Sequence, residues 1–256
     1  MANIGRRTLI GAALTASMVS ARPARAETDS PPAGLFKCTE FVRRAPGATP
    51  DAFLAHWLNK RAPLLLDLKG LRGLSFNRVI PDRSPDAAYD GVIEMWFADE
   101  AAYREAFGQA DDKVIAALAE DWPRFATGDP MGLFTREHPV RAPATPPGMA
   151  KRIGLVGRNP AMSEQRFFHE WQTVHAPEAA EQPGLTGYVL NLRTGLRLPD
   201  LPWDGYAALW WTDWPAFEVA RRAIRAAVGA RLGFFHAHHI LYVEEHVARR
   251  PDGRFA

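Results

Sequence analysis

His175 and Tyr188 are the side chains whose type and position best support chemistry. His175 ends a stripe of Phe167, Trp171 and His175, spaced four residues apart and so carried on one face of a helix. An imidazole there can serve as general acid or base, with the Tyr188 phenol as its helper. Ala176-Pro177 follows at once, so His175 reads as the end of that helix, where the dipole favours the imidazolium. A half-buried histidine bonded to a terminal carbonyl is the bland alternative.

The stripe occurs twice. Phe53, Trp57, Ala62 and Pro63 stand 114 residues before Phe167, Trp171, Ala176 and Pro177, with Arg61 in place of the histidine. Arg61 reads as an anion clamp or as a surface cation near a helix end. Phe167, Trp171, Trp57 and Trp210 are first of all core residues, because aromatics bury large areas. Around a pocket they would suit a flat aromatic ligand. Asn191 and its counterpart Asn77 lie on predicted strands, as hydrogen-bonding groups or as substrate contacts. His56 precedes Trp57, about 100° round the helix, and is expected to be exposed.

The remaining histidines include the cluster His236, His238, His239 and His246. On a strand, 236 and 238 face one side and 239 the other, so no three converge as a zinc site requires; no metal is expected. No phosphate-binding loop, dinucleotide fingerprint, CxxCH or Gly-x-Ser-x-Gly motif is present. No tightly bound cofactor is written in the sequence.

The elements that must position these residues come from a duplication. Between 37–103 and 151–217, 20 of 67 positions are identical without a gap, against roughly four or five by chance. Each copy predicts strand, helix, strand, strand, helix, strand. The helices open on caps at Thr49 or Ser163 and at Asp99 or Asp213, and the first helix of each copy stops at Gly70 or Gly184. The order is ferredoxin-like. A four-stranded sheet with both helices on one face must bury its other face, and a second copy in the same chain supplies the cover. The expected fold is α+β: tandem βαββαβ units forming an intrachain pseudo-dimeric barrel. The expected boundaries are 35–138 and 149–247, with a Pro-rich linker at 139–148.

The pattern F-x-x-x-W-x-x-x-H-A-P followed by G-L-x-G-Y-x-x-N resembles the EthD family of dimeric α+β barrels. It is matched by Phe167, Trp171, His175, Ala176, Pro177, Gly184, Leu185, Tyr188 and Asn191. The first copy matches at Phe53, Trp57, Ala62, Pro63, Gly70, Leu71 and Asn77, and departs at Arg61 and Leu74. The resemblance implies the fold strongly and activity only broadly. The family is commonly labelled oxidoreductase, and fungal relatives tailor aromatic polyketides. The wider superfamily holds cofactor-free monooxygenases, isomerases and haem-handling proteins.

Residues 1–26 read as a leader: a basic head with Arg6-Arg7, a mildly apolar run and Ala24-Arg25-Ala26 for cleavage. Arg6-Arg7-Thr-Leu-Ile resembles a twin-arginine signal, which implies a periplasmic or secreted protein. The leader carries four arginines and no acid, so the 31 basic and 29 acidic side chains become a slight acidic excess after its removal. No nucleic-acid footprint and no membrane anchor are therefore expected in the mature chain. Cys38 is the only cysteine, which excludes an internal disulfide and reads as a small buried hydrophobe.

Two functions remain open. One is an exported enzyme acting on an apolar or aromatic compound by oxidative or proton-transfer chemistry. The other is a binding or accessory protein that holds such a ligand without turnover. Further homo-oligomerisation is also left open.

Overall fold

The structure is a computed structural model that describes residues 35–108, 112–143, 150–196, 201–227 and 235–251. The leader reading at 1–26 lies outside the described residues. Eight strands carry the fold: β1 (Phe36–Arg44), β2 (Gly73–Val79), β3 (Gly91–Phe97), β4 (Ala126–Arg141), β5 (Ala150–Arg158), β6 (Leu185–Arg193), β7 (Gly205–Trp211) and β8 (Phe235–Arg249). They close a barrel in the order β1-β3-β2-β8-β5-β7-β6-β4, antiparallel throughout. Each half contributes four neighbouring strands in ferredoxin-like order. The halves join where β8 pairs with β2 and β4 pairs with β6.

That joint explains why the last strand of each half is much longer than its sequence pattern indicates. β4 pairs with β1 of its own half and then with β6 of the other, so it continues through Pro139 to Arg141. β8 does the same with β5 and β2. Closure leaves no sheet edge unpaired.

The helices cover the outside of the barrel. α1 runs through Pro50–His56, a π-helical turn at Trp57–Arg61 and Ala62–Leu66. Glu100–Gly108 (α2) and Asp112–Phe125 (α3) stand where one long helix was expected. α4 repeats α1, with Glu164–Glu170, a π turn at Trp171–His175 and Ala176–Ala180. Trp214–Ala227 forms α5. The expected caps hold: Thr49, Asp99, Ser163 and Asp213 each accept a backbone N–H three residues on. Gly70 and Gly184 take positive φ, 77° and 67°, as the chain leaves α1 and α4.

Strand alternation sorts side chains onto two faces. Phe36, Cys38, Leu74, Phe76, Ile93 and Met95 face the helices of the first half, and Leu185, Tyr188, Leu190, Leu209 and Trp211 those of the second. Gly91 and Gly205 make room there. A Cβ at Gly91 would collide with the Trp57 indole, and one at Gly205 would lie 3.0 Å from Trp171 Cζ3.

The other face fills the barrel lumen. Phe41, Val92, Leu133, Ile153, Leu155, Val189, Leu241 and Val243 are apolar there. Across them runs a buried ionic network. Lys37 Nζ lies 2.9 Å from Glu94 and 2.6 Å from Glu137; Lys151 Nζ lies 2.7 Å from Glu94 and 2.6 Å from Glu245. The Trp96 and Trp210 indole N–H groups donate to Glu137 and Glu245. Each half thus repeats a Lys–Glu–Trp unit, and a single carboxylate joins the two. Tyr206 Oη also donates to Glu94 at 2.8 Å and lies 2.9 Å from Thr39 Oγ1. The second half has Ala208 at the position of Glu94. Burial pushes the Glu94 carboxyl up, but the Lys151 and Lys37 ammoniums outweigh it and hold it well below the usual carboxylate range.

Replacing Glu94 by alanine leaves each buried ammonium one carboxylate, Glu137 or Glu245, and strips Tyr206 and Asn77 of a shared acceptor, so a loss of about 3 kcal/mol is expected. Ser75→Ala removes only a 3.4 Å contact to Glu94, and should cost about 1 kcal/mol. Urea unfolding of both variants checks this, and equal losses would show that Glu94 does not hold the lumen together.

Candidate functional site

α4 places its stripe against the outer face of β5, β6 and β7. Phe167 and Trp171 are fully buried, with ring centroids 5.3 Å apart. Pro177 has no N–H to close an α-helical bond, and the turn before it widens: Ala176 N–H reaches Trp171 O, five residues back. α1 makes the same adjustment before Pro63. π turns of this kind recur at functional sites.

The helix does not end at His175, as its sequence context implied; it continues to Ala180. The imidazole therefore does not meet a free C-terminus. It packs edge-on to Phe235, with centroids 5.4 Å apart. Burial lowers its pKa from the ordinary value, and the Arg152 guanidinium lowers it further against a smaller opposing pull from Glu178. His175 is thus neutral at pH 7, as a base should be. The expectation of a charged imidazole is corrected on both counts.

Tyr188 points from β6 into the same layer and is buried. Its hydroxyl is hydrogen-bonded by Trp171, and burial raises its pKa. In the first half Leu74 stands at this position, and the Trp57 indole N–H is buried without an acceptor. The Trp171–Tyr188 pair is therefore a feature of the second half alone. His175, Tyr188, Trp171 and Phe167 all lie on the α4 side of the second-half sheet.

The other predicted site residues do not join them. Asn191 and Trp210 lie on lumen-facing positions of β6 and β7, behind the sheet. Asn191 Nδ2 reaches only the Val189 carbonyl, whereas Asn77 donates to Glu94. Trp57 and Arg61 belong to the other half. Arg61 is 2% exposed, so it is not a surface cation. It donates to the Leu118 carbonyl, lies 3.7 Å from Asp121 and sits over the rings of Trp122 and Phe125. His56 is not a free surface group; it is partly buried, 2.7 Å from Asp121 and stacked on Phe125. Beside these groups a solvent-open groove of about 350 Å³ runs between α1 and α3, past Lys60, Leu64, Glu120 and Asp121.

Arg152 is the site residue missed from sequence. It projects from β5 toward the helices, where the first half has Cys38. Its departure from the repeat was the available signal. Burial lowers its pKa, with Tyr242 and Tyr188 opposing. Cys38 itself is buried, as expected. Among the described residues no cluster of three or more His, Cys, Asp or Glu is placed to hold a metal. His239 instead accepts the Ala88 N–H and stacks on Trp203. No helix of the described residues is long and apolar enough to cross a membrane.

Residues 45–129 match the family model of the EthD domain. A search of curated proteins finds no match. Among solved structures, an anthrone oxidase-like protein superposes with a TM-score of 0.59 at 12% identity, over 88% of this chain and 97% of that one. A candidate monooxygenase from Fusobacterium nucleatum gives 0.57 at 9% identity, over 84% of this chain and 94% of that one. Both share the α+β barrel, and the stretch that matches the EthD model is the half that carries Arg61.

The depressed pKa of His175 has a consequence for stability. Below about pH 6.5 the unfolded chain binds a proton that the folded imidazole resists, so stability falls as pH drops through that value. A His175→Gln variant should lose less thermal stability than the parent between pH 7.5 and 5. His138 and His239, also lowered by burial, remain in both proteins and cancel in the comparison. Parallel melting-temperature profiles would show that His175 titrates as it does in water.

Proposed function

We propose that the chain is a small-molecule oxidoreductase acting on a flat aromatic compound in the layer between α4 and the second-half sheet. The observation that carries this reading is a neutral, partly buried imidazole beside a phenol and a guanidinium, on an aromatic wall. Such a base can take a proton from an acidic aromatic C–H or O–H. The electron-rich anion left behind is the form that dioxygen oxidises. For an anthrone, the ring methylene loses two hydrogens, one oxygen atom enters as carbonyl and the other leaves as water. His175 and Arg152, the partly exposed groups, meet the substrate, and the buried Tyr188, Trp171 and Phe167 form the floor beneath it. The names of the two structural neighbours, anthrone oxidase-like and monooxygenase, agree with oxidative chemistry on this fold. The EthD match agrees with it as well.

A carrier without turnover is the second reading. The first half favours it, since Arg61 there is closed off by Leu118 and Asp121 and no histidine replaces it. Anthrone consumption, followed by absorbance and oxygen uptake, separates the two. His175→Ala should bind anthrone as the parent does, with turnover reduced about 10²–10⁴-fold, the range for a lost general base. Turnover unchanged in that variant would falsify the role of His175, and a parent that binds anthrone without consuming it would establish the carrier.

We also infer export of the folded protein by the Arg6-Arg7 leader. Replacing both arginines by lysine should leave the protein in the cytoplasmic fraction. Unchanged release into the periplasm would assign the leader to the general secretory route.

A further inference from the structure

The two halves carry their charges differently at matching positions. In the first, the cation Arg61 stands on the helix, and the acid Glu40 on the strand faces it. Glu40 is pushed up by burial and pulled down by Arg61. Asp121 adds a second acid to that group. The cleft of the first half is thereby self-neutralised.

In the second half the strand position of Glu40 is Gly154, and the cation has moved to Arg152 on the strand. Arg152 Nη2 and Nε lie 3.5 and 3.8 Å from where a Cβ on Gly154 would be. The guanidinium thus lies over the space left by the missing acid. Its Nε is buried and has no hydrogen-bond partner. Among the described residues no carboxylate forms an ion pair with it. Its polar neighbours are the hydroxyls of Tyr188 and Tyr242 and the imidazole of His175, none of them a carboxylate. Arg61 Nε is orphaned too, but Asp121 stands 3.7 Å from Arg61; Arg152, partly buried with no such acid, leaves its N–H to be completed by a ligand.

We propose that Arg152 is the anion-recognition residue of this cleft, and that its ligand is an aromatic acid or phenolate. The inference rests on the second-half cleft being the ligand site. Arg152 supplies a planar donor edge to the carboxylate or phenolate oxygen. The aromatic ring lies along Phe235, next to His175. During proton abstraction the same guanidinium balances the charge that develops on the substrate.

The test uses 1-naphthoate and its neutral counterpart 1-naphthamide, with binding to the full mature chain read by tryptophan fluorescence and calorimetry. The parent should prefer the carboxylate at least tenfold. Arg152→Gln should abolish that preference and leave amide binding unchanged, and Arg152→Lys should restore part of it. Gly154→Glu, which returns the acid of the first half, should also abolish it with Arg152 still present. A Cβ there meets only ordinary contacts, the nearest being the Arg152 guanidinium itself, and a melting-temperature measurement on the variant checks that it folds. Equal binding of acid and amide by the parent, a preference that survives both Arg152→Gln and Gly154→Glu, or no binding of either probe overturns the proposal. The outcome is independent of turnover: His175→Ala should keep the carboxylate preference even if it leaves anthrone oxidation unaffected.

Discussion

One carboxylate inside the barrel ties the molecule together. Glu94 on β3 reaches across the lumen to Lys151 on β5 and Tyr206 on β7, while Lys37 approaches it from the neighbouring β1. Two lysines from the two halves share it, and each is also held by its own glutamate near the barrel end. The arrangement depends on closure, since β3 and β5 are not neighbours in the sheet. A buried pair of this kind adds little net stability against a well-packed apolar core. Its effect is on specificity: any pairing of the halves that separates Lys151 from Glu94 leaves charges buried and unmatched.

The ionic network and its apolar neighbours occupy the lumen, and the proposed site lies on the outer face. There the second cleft has what the first lacks. The Trp171–Tyr188 bond fixes a hydroxyl next to the π turn, and the shift of one cation from helix to strand frees the helix position for an imidazole. Burial lowers the pKa of that imidazole and Arg152 adds to the effect, so a single substitution on β5 both adds a cation and helps tune the group on α4. The π turn contributes by carrying the helix past Pro177 while Trp171 stays buried against Gly205.

Much of this was legible in the residues. Thr49, Ser163, Asp99 and Asp213 announced helix starts because capping is local chemistry. Phe53, Trp57, Phe167 and Trp171 announced a buried stripe because helical spacing is local too. The long reach of β4 and β8 was not legible, since it answers to strands more than forty residues away. Asn191 was grouped with His175 because it matches the motif, and Trp210 because an aromatic would suit the wall of a pocket. Strand alternation puts them behind the sheet, and only the register between strands shows which face is which. Lys37 and Lys151 were visible as a shared pair, but nothing local shows that Glu94 lies between them.

The departures from the repeat turned out to carry more information about function than the identities. Identical positions such as Gly91 and Gly205, or Trp96 and Trp210, serve packing and the lumen, which both halves need equally. The substituted positions fall into two sets. Glu94 against Ala208 and Val92 against Tyr206 remove one acid from the lumen and add a phenol that satisfies the acid that remains, so two halves can share a single centre. Cys38 against Arg152, Glu40 against Gly154, Arg61 against His175 and Leu74 against Tyr188 all lie on the helix-facing side and change together in charge and hydrogen bonding. Four coordinated changes on one face, with the surrounding aromatic frame retained, fit selection on what that cleft holds better than drift in a buried layer. In drift, a half-buried guanidinium would seldom stand opposite a glycine with no acid among the described residues to meet it.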